Sequence, residues 1–310
     1  MIGSYYHVEQ APPALQWYVR HFGFITRAIT SITIVATIGI GGVWYADTQM
    51  TAPSRAAQSS QEDRLKKISP APLVTADVEN IVDLQPVLDR WVTEHPEQEW
   101  AVSVKSLTGP TFNASINADK QFDSASMYKL LILLPLFNQV PVEHQKNINL
   151  TVNGAPKSMA TCVDLMLRVS NNECGEAVGQ YISWKEADSV LKKAGFTNTS
   201  LNSTSGLKTS ASDTAKFLEQ LQGDMFSRNA RETILTSLKQ QRWKQGIPAG
   251  CPGCTVANKT GSLNGVTHDA AIIDYSGGSY VLAIFSENAS FDQVAELTGR
   301  IQQHILDTTL

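Results

Sequence analysis

Segments with strand character stand at the two ends of the folded part of this sequence, and helical patterns fill the stretch between them. "WAVSVKSLTG" alternates Ala101, Ser103 and Lys105 with Val102 and Val104, and after a Gly-Pro break "TFNASIN" continues as the second arm of a hairpin. Near the C-terminus "CTVANKTGS", "HDAAIIDY" and "SYVLAIFS" restore the strand pattern, before a closing helix in "FDQVAELTGRIQQHILD". From Ser126 to about Lys239 helical periodicity dominates, broken by "VNGAPKS" and the polar "TNTSLNSTSGLKTSASD". A first helix is expected in "VENIVDLQPVLDRWVTEH", where Val78, Ile81, Val82, Leu84, Val87, Leu88 and Trp91 make a broad apolar stripe. The chain must therefore close one sheet from distant parts, with a largely helical subdomain inserted.

A segment of different character precedes this domain. "AITSITIVATIGIGGVWYA", residues 28 to 46, carries no charge and is bounded by Arg27 and Asp47. Roughly 17–25 residues suffice for a helix to cross a bilayer core, so this run is long enough. The stretch before it is long for a signal-peptide n-region, and Trp44 and Ala46 make a poor cleavage site; an uncleaved single-pass anchor is expected. Residues 1–27 then form a cytoplasmic tail, residues 47–75 a proline-containing tether, and residues 76–310 the folded domain. Basic residues lie on both sides of the run, so they do not orient it. The two close cysteine pairs, Cys162 with Cys174 and Cys251 with Cys254, suit an oxidising compartment and place the domain outside the cytoplasm, at the cell membrane. A net charge of -4 without a basic stripe gives no general affinity for nucleic acid.

The chemistry concentrates in three short stretches. "FDSASMYKLL" sets Ser126 and Lys129 three residues apart at the start of an apolar run, so a helix there holds an amine beside a hydroxyl. A serine hydroxyl needs such a neighbouring base, and burial lowers a lysine pKa toward that use. Alone, the pair recurs on many helices. "RVSNNECGEAVG" adds Ser170 and Asn172 at a loop entering a helix, and "VANKTGSLNG" adds Lys259, Thr260 and Gly261 on a strand approaching a turn.

Ser-x-x-Lys, Ser-x-Asn and Lys-Thr-Gly, in that order, make roughly residues 76 to 310 resemble the class A β-lactamase and penicillin-binding serine hydrolase superfamily. The resemblance implies an α+β, β-lactamase-like fold: an antiparallel sheet flanked by helices, with a mainly helical subdomain. It implies Ser126 as the acyl-accepting nucleophile, Lys129 as its base, and Ser170 as the relay of a proton to the leaving nitrogen. Asn172 would hold the substrate amide and position Lys129; Lys259 and Thr260 would hold the substrate carboxylate. Backbone N–H groups of Ser126 and Ser262 would form the oxyanion hole. Gly261 would keep the strand edge open to substrate. No metal or organic cofactor is implied.

One position departs from the family pattern. The glutamate of the Glu-x-x-Leu-Asn stretch, which activates the deacylating water in class A enzymes, is replaced by Asn198 in "NTSLN". An amide is no general base at neutral pH. The expected function is a β-lactamase-type serine hydrolase with slow release of the acyl group, and the expected ligand is a small β-lactam. A D-alanyl-D-alanine carboxypeptidase or endopeptidase on peptidoglycan stem peptides is the rival enzyme. A non-catalytic sensor signalling through residues 1–27 is the rival of another class.

Other groupings carry less. Ser170 followed by Glu173 reads equally as a helix-capping box. His268 and Asp269 are adjacent, but no Gly-x-Ser-x-Gly accompanies them. "GCPGC" is half of a zinc pattern, and Cys162 and Cys174 on helical sequence make a poor second half, so two disulfides are expected.

Overall fold

The computed structural model describes residues 81–201 and 206–309. The tail, anchor and tether expected before residue 76 lie outside the described residues; among these residues no helix is long and apolar enough to cross a membrane. In chain order the strands are β1 (Glu99–Thr108), β2 (Asn113–Ile116), β3 (Phe122–Asp123), β4 (Asn149–Val152), β5 (Ala155–Ser158), β6 (Lys208–Thr209), β7 (Thr255–Leu263), β8 (Val266–Tyr275) and β9 (Gly278–Glu287). The helices are α1 (Gln85–Glu94), α2 (Tyr128–Leu131), α3 (Leu133–Gln139), α4 (Val142–Gln145), α5 (Met159–Arg168), α6 (Asn172–Ile182), α7 (Trp184–Lys193), α8 (Ala211–Gln220), α9 (Arg228–Lys239), α10 (Ile247–Gly250) and α11 (Phe291–Thr309).

The main sheet runs β2-β1-β9-β8-β7 with every pairing antiparallel. β1 pairs with β9 from Glu99↔Glu287 to Thr108↔Ser279, so the two ends of the domain close on one another as the strand pattern requires. Both faces of the sheet are covered. Val281, Ala283 and Phe285 of β9 join one buried cluster with residues of α2, α5, α6 and α8. Tyr280, Leu282 and Ile284 join another with Leu88, Trp91, Leu297 and Ile301 of α1 and α11. The period-2 alternation thus sorts one strand between two helical layers, which is why "SYVLAIFS" reads as a nearly unbroken apolar run.

Two boundaries differ from the sequence expectation. α1 begins only at Gln85, with Pro86 in its first turn, where a missing N–H costs nothing. Val82 instead donates its N–H to Thr111 O at 2.9 Å, and Ile81 is exposed. "VNGAPKS" is not merely a break, because its flanks pair as the β4–β5 hairpin around Asn153 and Gly154, both with positive φ.

Candidate active site

The residue that opens the site sits on a strained turn. Ser126 is the middle residue of a 3-10 turn, Ala125–Met127, and Ala125 just before it has φ 44°, unusual for a residue with a side chain. The turn is held because Met127 N donates to Ser124 O and Ser124 N donates to Leu207 O, each at 2.8 Å. α2 follows at once and buries Lys129 completely. Lys129 reaches its position because α6 has glycine at 175: a Cβ there would lie 2.9 Å from Lys129 Cε and 2.7 Å from Tyr128 Oη.

Four polar atoms surround the Lys129 amine. Nζ lies 2.9 Å from Ser126 Oγ, 2.7 Å from Ser170 O, 2.6 Å from Asn172 Oδ1 and 3.5 Å from Ser170 Oγ. Two of the close partners, Ser170 O and Asn172 Oδ1, can only accept. A neutral amine gives them both its hydrogens and turns its lone pair to the Ser126 hydroxyl; the ammonium form adds a third donated bond to Oγ. The same geometry serves both protonation states. Burial lowers the Lys129 pKa to about 8, while Glu173 and Glu176 act in the opposite sense.

α6 and the loop before it supply the opposite wall. Asn171, not Ser170, caps the helix, its Oδ1 accepting from Cys174 N at 2.8 Å. This corrects the capping-box reading of Ser170 and Glu173. Ser170 has φ 58° instead, which turns its hydroxyl toward the strand side. There Lys259 Nζ donates to Ser170 Oγ at 2.8 Å and to Thr260 O at 2.6 Å. Lys259 is completely buried on β7, and burial, reinforced by the charge of Lys129, lowers its pKa well below the ordinary value.

Gly261 has a different steric use from the one expected. A Cβ built on it would meet Met127 Cγ at 3.1 Å and both Ala125 Cβ and Ser126 N at 3.2 Å. The glycine lets β7 lie directly against the Ser126 turn, on the side of the turn rather than along the open strand edge.

Two lobes of one cleft open at Ser126. One, of 520 Å³, is lined by Asp123, Ser126, Tyr128, Asn172, Glu176 and Leu207, among others. The second, of 390 Å³, includes Ser126, Ser170, Asn172, Trp243, Thr260 and Ser262. Asn198 lines neither. Its Nδ2 donates to Asp119 Oδ1 at 3.0 Å, its N–H to Asp213 Oδ2 at 2.9 Å, and its carbonyl accepts from Gln121 Nε2 at 3.0 Å. These bonds make it a tie between the start of α8 and the 119–121 turn.

His268 and Asp269 form no triad with a serine. On adjacent β8 positions they face opposite sides of the sheet. His268 Nδ1 accepts from Ser286 N at 3.3 Å, which leaves Nε2–H to donate to Asp123 O at 2.9 Å. Burial lowers its pKa to about 4, so the ring is neutral and saturated. Asp269, raised to about 7 by burial, accepts from Ile247 N at 2.8 Å and Asn258 Nδ2 at 3.1 Å.

Both cysteine pairs are disulfides, Cys162–Cys174 and Cys251–Cys254, with Cα atoms 4.8 and 5.5 Å apart. The first ties α5 to the first turn of α6 beside Asn172; the second closes the loop that enters β7. Among the described residues no group of three or more His, Cys, Asp or Glu could hold a metal ion.

Residues 83–309 match the sequence pattern of the beta-lactamase enzyme family. The chain belongs to that family. No curated protein matches it. Among solved structures, PBP-A is similar at 22% identity and TM-score 0.66, with 72% of this chain and 96% of that one covered. A variant of PBP-A solved as an acyl-enzyme complex with penicillin G has 21% identity and TM-score 0.63 over 72% and 96%. A beta-lactamase from Sphaerobacter thermophilus has 19% identity and TM-score 0.64 over 74% and 97%. At these identities the structural likeness speaks for the β-lactamase-like fold alone.

Within this family member, the fold brings together every residue that the three motifs singled out, with Gly261 behind the turn and Ser262 in both lobes. Sequence reasoning missed Trp243, which is 43% exposed at the rim of the narrow lobe, and Gln245 beside it. They lie on the irregular segment after α9, where no periodic pattern or motif could have placed them. Glu176, in sequence a carboxylate of the Ser170 helix that matches nothing in the deacylation role, lines the wide lobe; its i,i+4 spacing from Asn172 puts the two on one face of α6.

Proposed function

We propose that this beta-lactamase family member is a serine hydrolase working through an acyl-enzyme on Ser126, with Lys129 as the base. The observation that carries this reading is the Lys129 amine, buried and 2.9 Å from Ser126 Oγ. Among the described residues it has no carboxylate in ion-pair contact, and its pKa is lowered to about 8. In the neutral form it takes the serine proton as Oγ attacks the amide carbonyl; the C–N bond then breaks. Ser170, held by Lys259, passes the proton to the leaving nitrogen. The backbone N–H groups of Ser126 and Ser262 receive the oxyanion. Asn172 holds the substrate amide, and Lys259 and Thr260 attract its carboxylate.

A β-lactam amide is the first substrate class, with penicillin G trapped on a PBP-A variant as a supporting likeness. Deacylation is slow on this reading, because Asn198 offers no carboxylate and faces away into its own hydrogen bonds. The same observation favours a second reading, a peptidase acting on acyl-D-alanyl-D-alanine ends of peptidoglycan, for which a long-lived β-lactam adduct is a dead end. Residues 28–46 anchor the chain in the cell membrane with the catalytic domain outside the cytoplasm, a placement supported by the two disulfides.

Mixing the full chain with a chromogenic cephalosporin and following colour and intact mass tests the proposal. One equivalent of fast colour release with a matching adduct on Ser126 is expected, followed by slow turnover. Absence of any adduct sinks the acyl-enzyme reading, and sustained rapid turnover sinks the slow-deacylation part. Release of D-alanine from a diacyl-lysyl-D-alanyl-D-alanine peptide distinguishes the peptidase.

A further inference from the structure

The two lobes of the cleft share Ser126, Asn172 and Ser262 but differ in charge. The narrow lobe contains Ser170 and Thr260 and abuts the buried amine of Lys259, 2.8 Å from Ser170 Oγ. The wide lobe contains two carboxylates, Asp123 and Glu176. Asp123 is neutralised by an ion pair with Lys208. Glu176 has no hydrogen-bond or ion-pair partner among the described residues, so its charge is the uncompensated one of that lobe. It stands one helical turn beyond Asn172, four residues on, and so shares that face of α6. Burial lowers the Lys129 pKa, and the charges of Glu173 and then Glu176 raise it, so the field of Glu176 reaches the reacting group.

We propose that Glu176 makes the wide lobe a subsite for a cationic group, so that preferred substrates carry an ammonium in the acyl portion. This rests on the acyl-enzyme reading above, which also fixes the two sides. Ser170 gives its proton to the departing nitrogen, so the leaving portion lies in the narrow lobe beside Lys259. The acyl side chain falls into the wide lobe beside Glu176. In the step itself the Ser126 Oγ–C bond forms, the C–N bond breaks, and the serine proton ends on the nitrogen by way of Lys129 and Ser170. Glu176 neither gains nor loses a proton; it is a specificity-determining residue. A carboxylate–ammonium contact in a partly open cleft changes a rate constant by about three- to fivefold.

Penicillin G and ampicillin differ by one amino group on the acyl side chain and form a matched pair of probes. Second-order acylation rate constants are measured at pH 7 on the full chain, by intact mass, for the wild type, Glu176→Gln, Glu176→Lys and the control Glu173→Gln. The ampicillin-to-penicillin G ratio is expected to fall by about three- to fivefold in Glu176→Gln. It is expected to fall further in Glu176→Lys and to stay at the wild-type value in Glu173→Gln. An unchanged ratio in both Glu176 variants overturns the subsite. An equal fall in Glu173→Gln also overturns it, by showing a general field instead of a local contact. Absence of acylation by either penicillin removes the acyl-enzyme reading itself, whereas normal acylation with an unchanged ratio removes only the subsite.

Discussion

Lys259 Nζ and Ser170 Oγ are 2.8 Å apart although 89 positions separate them in the chain. The lysine comes from the edge strand of the main sheet and the serine from the loop entering α6, so the contact joins sheet and helical subdomain across the cleft. It also separates two roles that the sequence left entangled, because Asn171 caps α6 and leaves the Ser170 hydroxyl free for Lys259. Ser170→Ala should therefore keep the thermal midpoint near the wild-type value. It should slow acylation by about 10²-fold or more, the usual scale for losing a general acid–base group. A large drop in midpoint with little kinetic effect would assign the hydroxyl to structure.

The Lys129 environment fixes a pH dependence. Its pKa is lowered to about 8, so roughly one amine in ten is neutral at pH 7 and most are by pH 9. Acylation of the full chain should rise about tenfold from pH 7 to a plateau above pH 9, as followed by stopped-flow. Stability has its own sign. The unfolded lysine, near 10.5, binds more protons than the folded one between pH 8 and 10.5, so Lys129 makes stability rise with pH in that window and is flat below it. Lys259, also lowered by burial, acts in the same direction. A rate that falls as pH rises through 8 would remove Lys129 as the base.

The parts of the fold that were legible in the sequence are those where one periodicity persists. β7, β8 and β9 and the closing helix carry their pattern over nine or more positions, and the hairpin of β1 and β2 is punctuated by its own Gly-Pro. The candidate site was legible because Ser126 and Lys129, Ser170 and Asn172, and Lys259 to Gly261 are each local, so one helix turn, one helix entry and one strand place them. What escaped depends on tertiary geometry. Nothing near Gly261 in sequence says that its missing side chain faces Ser126 N, and nothing in "RWKQGIP" says that Trp243 meets the cleft. The start of α1 was misplaced because Val82 and Leu84 are buried without being helical, and burial is all that an apolar stripe reports.

Asn198 leads to a negative result that a loop alignment would not suggest. Its side chain donates to Asp119 Oδ1, which also accepts from Ser212 Oγ at 2.6 Å. Asn198→Glu removes that donor and sets a carboxylate against Asp119, at a cost of about 0.5–1.5 kcal/mol. It should leave the lifetime of the β-lactam adduct unchanged, because the position lines neither lobe. Shortening of that lifetime by tenfold, measured by loss of adduct mass, would show that the 197–201 segment reaches the acyl group.

The disulfides predict how the chain answers to reductant. All four cysteines are paired, so thiol labelling of the unfolded, unreduced protein should be nil, and should reach four after reduction. Cys162–Cys174 closes a short loop, with a sequence separation of 12, and its loss should cost about 2–4 kcal/mol in denaturant unfolding. Because it braces the first turn of α6, acylation should weaken as well. Full labelling without reductant in protein recovered from its native compartment would contradict the proposed placement outside the cytoplasm.

Gly261 gives the sharpest test of how the sheet positions Ser126. The space a methyl group would need lies 3.2 Å from Ser126 N and Ala125 Cβ and 3.1 Å from Met127 Cγ. Met127 is a flexible side chain and can give way, but the backbone nitrogen belongs to a turn already strained at Ala125. The turn must therefore shift by a few tenths of an ångström, away from Lys129 or out of line with the Ser262 N–H. Misplacement of about 1 Å costs on the order of 10²-fold in rate, so Gly261→Ala should lose about ten- to a hundredfold in acylation. The stability change should stay within about 1–3 kcal/mol, the usual cost of overpacking. Acylation at the wild-type rate in Gly261→Ala would mean that the strand relaxes instead of the turn, and that Ser126 is positioned by α2 alone.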